Sequence, residues 1–511
     1  MEKVCNWIKL NRNYILLFLS LFIINFLFFS LTNDYYINNG EKSIFKYIIL
    51  GSSFLEIILV FLVLYCKKKN IKIHKAYLLF SILFGVLYMF ILPIGSVPDE
   101  TNHFFRSYEI SEGHLLSDKD DNHIGGRFFN SNMDIIAISD LNNYNYKKLK
   151  ESIFVKNDAK NEKYYTFANT SLYSFFSYIP QTIGIGIGKL FNAPILISAY
   201  LGRIINYIFF IIIIYFSVKF IPFGKTLIVL ISFLPMMMQE AISLAPDAMT
   251  NAVAIAMVSF VLYMRFDKNS GIMTKKKVIL FSILTIWISM LKIVYLPICL
   301  LAFLIPENKF ANKKDKIIKI GILAIIVIVL NISWLKISAS YLVEFQPGVD
   351  SASQVSFILH NPYSYLKVLF NTIDYNFVTY FNMMLGTNLG WLNIYLSSNY
   401  LFAYFLVIFF VAFLDKNIKL DSITKKIFVF ISISIIILIF TSLYVQWTPL
   451  KNPIINGVQG RYFIPILLMI MLVIKPNKIK LDLVDKEKYF LILISMINVY
   501  SLVIIFYNFV F

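Results

Sequence analysis

The sequence YILLFLSLFIINFLFFSL at residues 14–31 is an apolar run long enough to cross a lipid bilayer. A basic stretch containing Lys3, Lys9 and Arg12 precedes it. No small-residue cleavage pattern lies before Asn33, so the run predicts an uncleaved first membrane span rather than a signal peptide. Comparable apolar runs recur along nearly the whole chain.

The composition agrees with a protein made mainly of such runs. The 511 residues are 58% hydrophobic and only 15% charged, whereas a soluble domain is about 25% charged. At about 20 apolar residues per crossing, we predict an all-α polytopic membrane protein with about 11 to 13 transmembrane helices. Residues 1–511 then form one integral membrane domain. The clear spans are 14–32, 44–65, 76–95, 197–219, 226–244, 247–265, 317–337, 398–414, 426–445, 462–474 and 489–510.

Two apolar segments do not read as simple spans. Residues 171–190 are interrupted by Pro180 and by three alternating glycines, and residues 278–306 are too long for one crossing. Lys292 lies in the middle of the second segment, where a straight helix would hold its charge inside the bilayer. We therefore expect 278–306 to form a bent pair of short helices with Lys292 near the outer surface. We expect 171–190 to dip without crossing, because the strongly basic loops of the chain then all lie on the cytoplasmic side.

The formal charge of +18 is an orientation signal rather than a sign of nucleic-acid binding, because the basic residues lie in short loops between the spans. Cytoplasmic placement of these loops puts the N-terminus inside, in a multi-pass protein of the plasma membrane. A large loop at 96–170 and a second region at 338–397 are then outside. The basic loops are 67–75, 265–277, 309–319, 415–426 and 475–488.

The stretch VPDETNHFFR at 97–106 opens the acidic outer loop. Its Asp99 and Glu100 are predicted to lie at the membrane interface, and Asp99, His103 and Arg106 share one face if the segment is helical. The simpler alternative is a capped interfacial helix with solvated charges. A divalent metal held by Asp99, Glu100 and His103 is a further alternative, although the spacing matches none of the strong metal motifs.

Further candidates come from three other stretches. In GVQGRYFIP at 457–465, Arg461 lies among glycines at a helix start, a place suited to phosphate oxygens; an anchoring arginine beside Tyr462 is the alternative. Asp247 follows Pro246, which is also an ordinary helix start. Lys292 needs a partner within the membrane. Arg203, by contrast, is interpreted as an anchor at the outer surface.

Four of these stretches together resemble a family of bacterial membrane proteins that share domain of unknown function 2142. They are VPDETNHF at 97–104, LAPDA at 244–248, KIVYLP at 292–297 and GVQGRYFIP at 457–465. The family is similar in layout to the polytopic glycosyltransferases of the C superfamily (GT-C), which take sugars from polyprenyl-phosphate carriers. The resemblance implies a GT-C-like fold and a catalytic carboxylate in the first large outer loop, at Asp99 or Glu100.

Our leading hypothesis is inverting transfer of a sugar from a polyprenyl-phosphate donor to a hydroxyl of a cell-envelope glycan or related acceptor. Asp99 or Glu100 would be the general base at the outer face. A lipid-linked saccharide transporter or flippase, or a non-catalytic envelope assembly protein, are the alternatives. No cofactor is assigned, and a divalent metal stays open. The predicted substrate- and phosphate-binding residues are His103, Arg106, Asp247, Lys292, Tyr295, Gln459, Arg461 and Tyr462.

Overall fold

The computed structural model describes residues 2–36, 42–122, 124–136, 146–158, 161–415, 417–476 and 486–510. Most of these residues are helical. The α-helices are α1 Glu2–Tyr36, α2 Lys42–Lys68, α3 Ile73–Ile91, α4 Glu100–Ser111, α5 Tyr146–Ser152, α6 Ala168–Ser171, α7 Ile179–Leu190, α8 Ile195–Phe220, α9 Lys225–Ser232, α10 Pro235–Ala241, α11 Asp247–Phe266, α12 Lys275–Leu291, α13 Lys313–Ser338, α14 Ser351–His360, α15 Pro362–Leu385, α16 Ser398–Leu414, α17 Ser422–Gln446, α18 Ile464–Val473 and α19 Glu487–Val510.

Eight helices in the described ranges are long and apolar enough to cross a membrane. This confirms the prediction of a helical polytopic membrane protein, while the expected total of about 11 to 13 spans is not established. The eight spans are Cys5–Ser30, Tyr47–Lys68, Ile73–Ile91, Ile195–Phe220, Asp247–Phe266, Lys313–Tyr341, Ser422–Gln446 and Glu487–Phe509.

The predicted span at 226–244 is wrong as a single helix. It consists of the short helices α9 and α10, which are separated at Phe233 and Leu234. Pro235 is the cause, because a proline lacks the N–H that would continue a helix and drives the preceding residue to an extended conformation. Leu234 accordingly has φ −57° and ψ 136°. Such a break is tolerated at membrane depth because α9 and α10 are buried within the protein.

The segment around Lys292 bends as predicted. Helix α12 ends at Leu291, and Lys292 has an extended backbone with φ −150° and ψ 125°. A 3-10 helix, Ile293–Leu304, follows and contains Pro297. The break therefore places Lys292 at the junction of two helical pieces rather than inside one straight helix.

The other ambiguous segment contains α7, whose 12 residues extend only about 18 Å. Its glycines allow α7 to pack closely on α8: a Cβ atom at Gly184 would lie 2.2 Å from the Leu201 carbonyl oxygen. Helix α7 alone is too short for a bilayer core of about 30 Å.

The predicted large loop at 96–170 is a small folded unit. It begins with α4 and contains an antiparallel sheet in the order β1–β2–β3, formed by Asp118–Lys119, Gly125–Asn130 and Glu162–Thr166. Gly126 pairs with Thr166, and Arg127 pairs with Tyr165. Aromatic side chains of α4, including Phe105, pack on this sheet to form a separate core. The region at 338–397 contains α14, α15 and the two-stranded hairpin β4–β5, Asn388–Leu389 and Ile394–Tyr395.

Candidate functional site

Asp99 and Glu100 are adjacent in sequence but lie in different environments. Asp99 caps α4 with a left-handed backbone (φ 60°), and Glu100 is the first residue of the helix. Glu100 is fully buried, whereas Asp99 is half-buried. The turn between α3 and α4 thus separates the two carboxylates that the sequence presents as a pair.

Glu100 forms a buried two-bond ion pair with Arg203 of α8. Arg203 Nε lies 2.7 Å from Glu100 Oε1, and Nη2 lies 2.6 Å from Oε2. The backbone N–H groups of Gly95 and Leu244 donate to the same two oxygens at 2.8 and 3.1 Å. Both Glu100 oxygens are therefore occupied by structural contacts, which leaves this carboxylate poorly suited to act as a base.

The interpretation of Arg203 as an anchor at the outer surface is wrong. Its side chain is fully buried and also donates to the carbonyl oxygens of Leu92 and Pro93 at 2.7 and 2.9 Å. Because the guanidinium contacts the end of α3, the start of α4 and, through Glu100, the turn before α11, it joins three elements at one point. This contact set indicates a structural role.

Asp99 keeps a freer carboxylate. Its Oδ1 accepts one hydrogen bond from Asn169 Nδ2 at 3.1 Å, and Asn169 Oδ1 accepts from Asn102 Nδ2 at 2.8 Å. Asn169 also lines the cavity described below. The Asp99 carboxylate is therefore hydrogen-bonded to a residue that lines the cavity.

Two ion pairs form what we call the four-charge cluster: Asp247 with Lys292, and Glu240 with Arg461. Lys292 Nζ lies 2.5 Å from Asp247 Oδ1, and Arg461 Nη1 lies 3.1 Å from Glu240 Oε1. The ring of Tyr462 joins the pairs, since its centroid is 5.2 Å from Lys292 Nζ and 5.5 Å from the Arg461 guanidinium carbon. The structure thus brings Asp247, Lys292 and Arg461 together although they are far apart in sequence.

The second pair retains unused hydrogen-bonding atoms. Arg461 Nε and Glu240 Oε2 are buried and have no hydrogen-bond partner among the residues that the structure describes. A buried polar atom without a partner is uncommon and suggests a site for a ligand or a water molecule. Arg461 therefore has a donor that an anionic oxygen could use.

Glu240 was missed from the sequence. It lies in the segment 226–244, which is one of the predicted spans. An acidic residue within a predicted span indicates a buried partner or a functional site. This signal was present, but nothing in the sequence indicates that its partner is Arg461.

His103 lies beside the cluster in a tyrosine-lined setting. Its Nδ1 is 2.8 Å from the Tyr178 hydroxyl. Burial lowers the pKa of His103 to about 3, and the charges of Asp247, Lys292 and Arg461 also act on the ring. The imidazole is therefore neutral near pH 7 and can exchange hydrogen bonds without carrying charge.

Of three other predicted site residues, Arg106 and Tyr295 have side-chain partners and Gln459 keeps an oxygen that has no partner within the described ranges. Arg106 is fully buried and lies 2.5 Å from Glu109, in a network that includes Arg127, so the structure directs it toward the folded loop instead of the cluster. The Tyr295 hydroxyl donates to the Tyr462 carbonyl oxygen at 2.9 Å. Gln459 Oε1 is a buried atom without a partner in the described part of the chain.

A cavity of about 310 Å³ lies next to the cluster. Its lining includes Asn169, Tyr173, Lys292 and Tyr462, together with apolar and polar side chains of α13 and α17. Lys292 Nζ is also 5.5 Å from the centroid of the Tyr173 ring. The cavity therefore combines the cation Lys292 with a lining that includes apolar side chains of two membrane helices.

Gly460 allows the segment before Arg461 to pack closely on α15. A Cβ atom there would lie 2.0 Å from the Tyr380 carbonyl oxygen and 2.4 Å from the Met384 amide nitrogen. We expect Gly460→Ala to lower the free energy of unfolding by about 1–3 kcal/mol, because backbone atoms must move. The control is Gly186→Ala in α7, where a Cβ meets no atom within 4 Å. Thermal unfolding in detergent should show a lower unfolding temperature for Gly460→Ala only. Equal unfolding temperatures of the two variants would contradict the packing argument.

No group of three or more histidine, cysteine, aspartate or glutamate side chains suited to a metal ion occurs in the described ranges. The three residues considered from the sequence do not converge, because Glu100 is bound to Arg203 and His103 is bound to Tyr178. We therefore derive no step that uses a metal ion.

Comparison with known proteins gives one match. No curated protein and no solved structure is significantly similar to the chain. A family model described as a predicted membrane protein, DUF2142, matches residues 82–470, which include α4, the four-charge cluster and the cavity. Because this match covers more than half of the sequence, the chain belongs to the DUF2142 family of predicted membrane proteins.

Proposed function

We propose that the protein is an inverting glycosyltransferase that uses a polyprenyl-phosphate sugar as donor and a glycan hydroxyl as acceptor. The observation that carries the proposal is the cavity, whose lining combines the cation Lys292 with apolar side chains of α13 and α17. A polyprenyl-phosphate sugar has the matching polarity, with an apolar tail, a phosphate and a polar sugar. Proximity of Asp99 to the same cavity, through Asn169, supplies a base.

The apolar part of the cavity suits a lipid tail that stays partly in the bilayer. Leu335 of α13 and Ile439 and Leu443 of α17 contribute to its walls. Helix α13 is the least buried of the candidate spans, with only 17% of its apolar window buried inside the protein. A lipid-linked donor held there would therefore lie beside the candidate span with the largest exposed share.

The donor phosphate would lie near Lys292, which lines the cavity, and Arg461, which also contacts the Tyr462 ring, would add its positive charge from outside the lining. Charge-assisted hydrogen bonds of this kind strengthen as negative charge develops on the leaving phosphate. Lys292 would then be shared between Asp247 and the phosphate, while Glu240 holds the Arg461 guanidinium in place.

In the reaction, the acceptor hydroxyl oxygen forms a bond to the anomeric carbon as the bond from that carbon to the phosphate oxygen breaks. Asp99 takes the acceptor proton, and polyprenyl phosphate leaves with the bonding electron pair. A single displacement inverts the anomeric configuration. Asp99 is assigned as the base instead of Glu100 because the Glu100 oxygens are already occupied by Arg203 and two backbone N–H groups.

The test is sugar transfer by the purified full chain from a panel of polyprenyl-phosphate sugars, compared with a variant that fills the cavity. Ser442 of α17 lines the cavity, and we expect Ser442→Trp to reduce transfer by about 100-fold because the donor is displaced. The control is Ile433→Trp on the same helix, at a position that is 51% exposed on the lipid side.

Two results would count against the proposal. One is transfer by Ser442→Trp at the rate of the Ile433→Trp control, which would overturn the assignment of this cavity as the donor site. The other is movement of the lipid-linked sugar across reconstituted vesicles without any transfer, which would favour a transporter.

A further inference from the structure

A second cavity, of about 790 Å³, lies at the end of α3 that is opposite to the turn containing Asp99 and Glu100. Five lysines and one glutamate line it: Lys72, Lys75, Lys219, Lys225, Lys488 and Glu487. They come from the start of α3, the end of α8, the start of α9 and the start of α19. We call this the basic cavity.

The basic cavity is one membrane thickness away from the candidate site. Lys72 lies directly before α3, and the turn that contains Asp99 and Glu100 lies after the end of α3. Because α3 has 19 residues, it spans about 28 Å, close to the hydrocarbon thickness of about 30 Å. The basic cavity therefore lies at the opposite membrane surface, at the depth of the lipid phosphates.

The charge at the basic cavity is concentrated rather than spread. The charges of Lys225, Lys219 and Lys72 all act on His74, which lies among them. In the described part of the chain, the lysines that form ion pairs are others, such as Lys163 and Lys189. Glu487 offsets one of the five positive charges that line the cavity, and the remaining like charges repel each other unless an anion enters.

Two helix starts add to this positive potential. Helices α3 and α9 have no acidic residue in the first turn and no side-chain hydrogen bond at the cap. The start of a helix carries a partial positive charge and unpaired N–H groups, and it normally attracts acidic residues. Here Lys72, Lys75 and Lys225 occupy that place. An anion would be attracted by the lysines and by the two helix starts together.

We propose that the basic cavity binds a phosphate-bearing anion with at least two negative charges. Two sources share this chemistry: the headgroup of an anionic phospholipid such as cardiolipin, and a free phosphate compound such as pyrophosphate. Basic pockets between membrane helices are suited to phospholipid headgroups. This site is separate from the donor-phosphate position near Lys292, and the proposal does not depend on glycosyl transfer.

The test compares the wild-type full chain with two variants that lose the same number of charges. The cavity variant carries Lys72→Gln, Lys75→Gln, Lys219→Gln and Lys225→Gln. The control variant carries Lys275→Gln, Lys276→Gln, Lys313→Gln and Lys314→Gln, all at exposed lysines outside the basic cavity. Affinity for cardiolipin, for phosphatidylcholine and for sodium pyrophosphate is measured in detergent by thermal-shift titration, and gel filtration checks that each variant is folded.

We expect the cavity variant to bind the anion at least about tenfold more weakly than the wild type, and the control variant to bind like the wild type. Stabilisation by cardiolipin alone identifies a lipid headgroup, and stabilisation by both anions identifies a phosphate site open to solution. Equal loss in the two variants would mean general surface attraction and would overturn the proposal. Stabilisation by neither anion, or equally by phosphatidylcholine, would also overturn it.

Discussion

Replacing Glu100 with glutamine is expected to lower the free energy of unfolding by about 3–5 kcal/mol, because it leaves the buried Arg203 guanidinium without a counter-charge. Arg203 and Glu100 are both fully inaccessible to solvent, so water cannot compensate the lost charge. The Glu100 oxygens also accept from the backbone at Gly95 and Leu244. Unfolding of the purified protein in detergent, followed by circular dichroism, measures the loss.

The control for this change is Glu112→Gln at the other end of α4. Glu112 pairs with Lys189 at 2.9 Å, but the two side chains are about 30% exposed. We expect this substitution to change stability by less than about 1 kcal/mol, as is usual for surface ion pairs. A Glu100→Gln protein as stable as Glu112→Gln would mean that the Glu100–Arg203 pair does not hold α3, α4 and α8 together.

Features set by local chemistry could be predicted from the sequence. Lys292 marked a break because a lysine within an apolar segment is unfavourable unless the helix bends or a partner is present, and the structure shows both the break and the partner Asp247. Pro246 similarly marked the start of α11. Arg461 lies at the start of its helix, as the surrounding glycines indicated.

Features that depend on tertiary pairing could not be predicted. Glu240 and Arg461 are 221 positions apart, and Glu100 and Arg203 are 103 apart, so no spacing pattern connects them. For that reason the sequence suggests a surface anchor at Arg203 and does not single out Glu240. The different roles of Asp99 and Glu100 depend on one left-handed residue, which local pattern does not specify because Asp adopts that conformation only occasionally.

Replacing Asp99 with asparagine is expected to reduce sugar transfer by about 10²–10⁴-fold while leaving the fold intact, because a general base contributes roughly that factor. The substitution removes the proton acceptor and keeps the size of the side chain. Asparagine tolerates the left-handed backbone of this position as well as aspartate does. Its Oδ1 can still accept the hydrogen bond from Asn169. The rate of transfer from a polyprenyl-phosphate sugar and the unfolding temperature are measured on the same preparation.

The matched control is Asp118→Asn, in the folded loop that follows α4. Asp118 is 55% exposed and pairs with Arg127, so its loss should leave both transfer and stability near the wild-type values. The two measurements then distinguish the two adjacent acids. Asp99→Asn is expected to lower activity and leave stability unchanged, whereas Glu100→Gln is expected to lower stability. An active Asp99→Asn enzyme would remove Asp99 as the base. Because Glu100 is enclosed by Arg203, the next residue to replace would be His103, which lies beside the four-charge cluster, is neutral near pH 7 and is hydrogen-bonded to Tyr178.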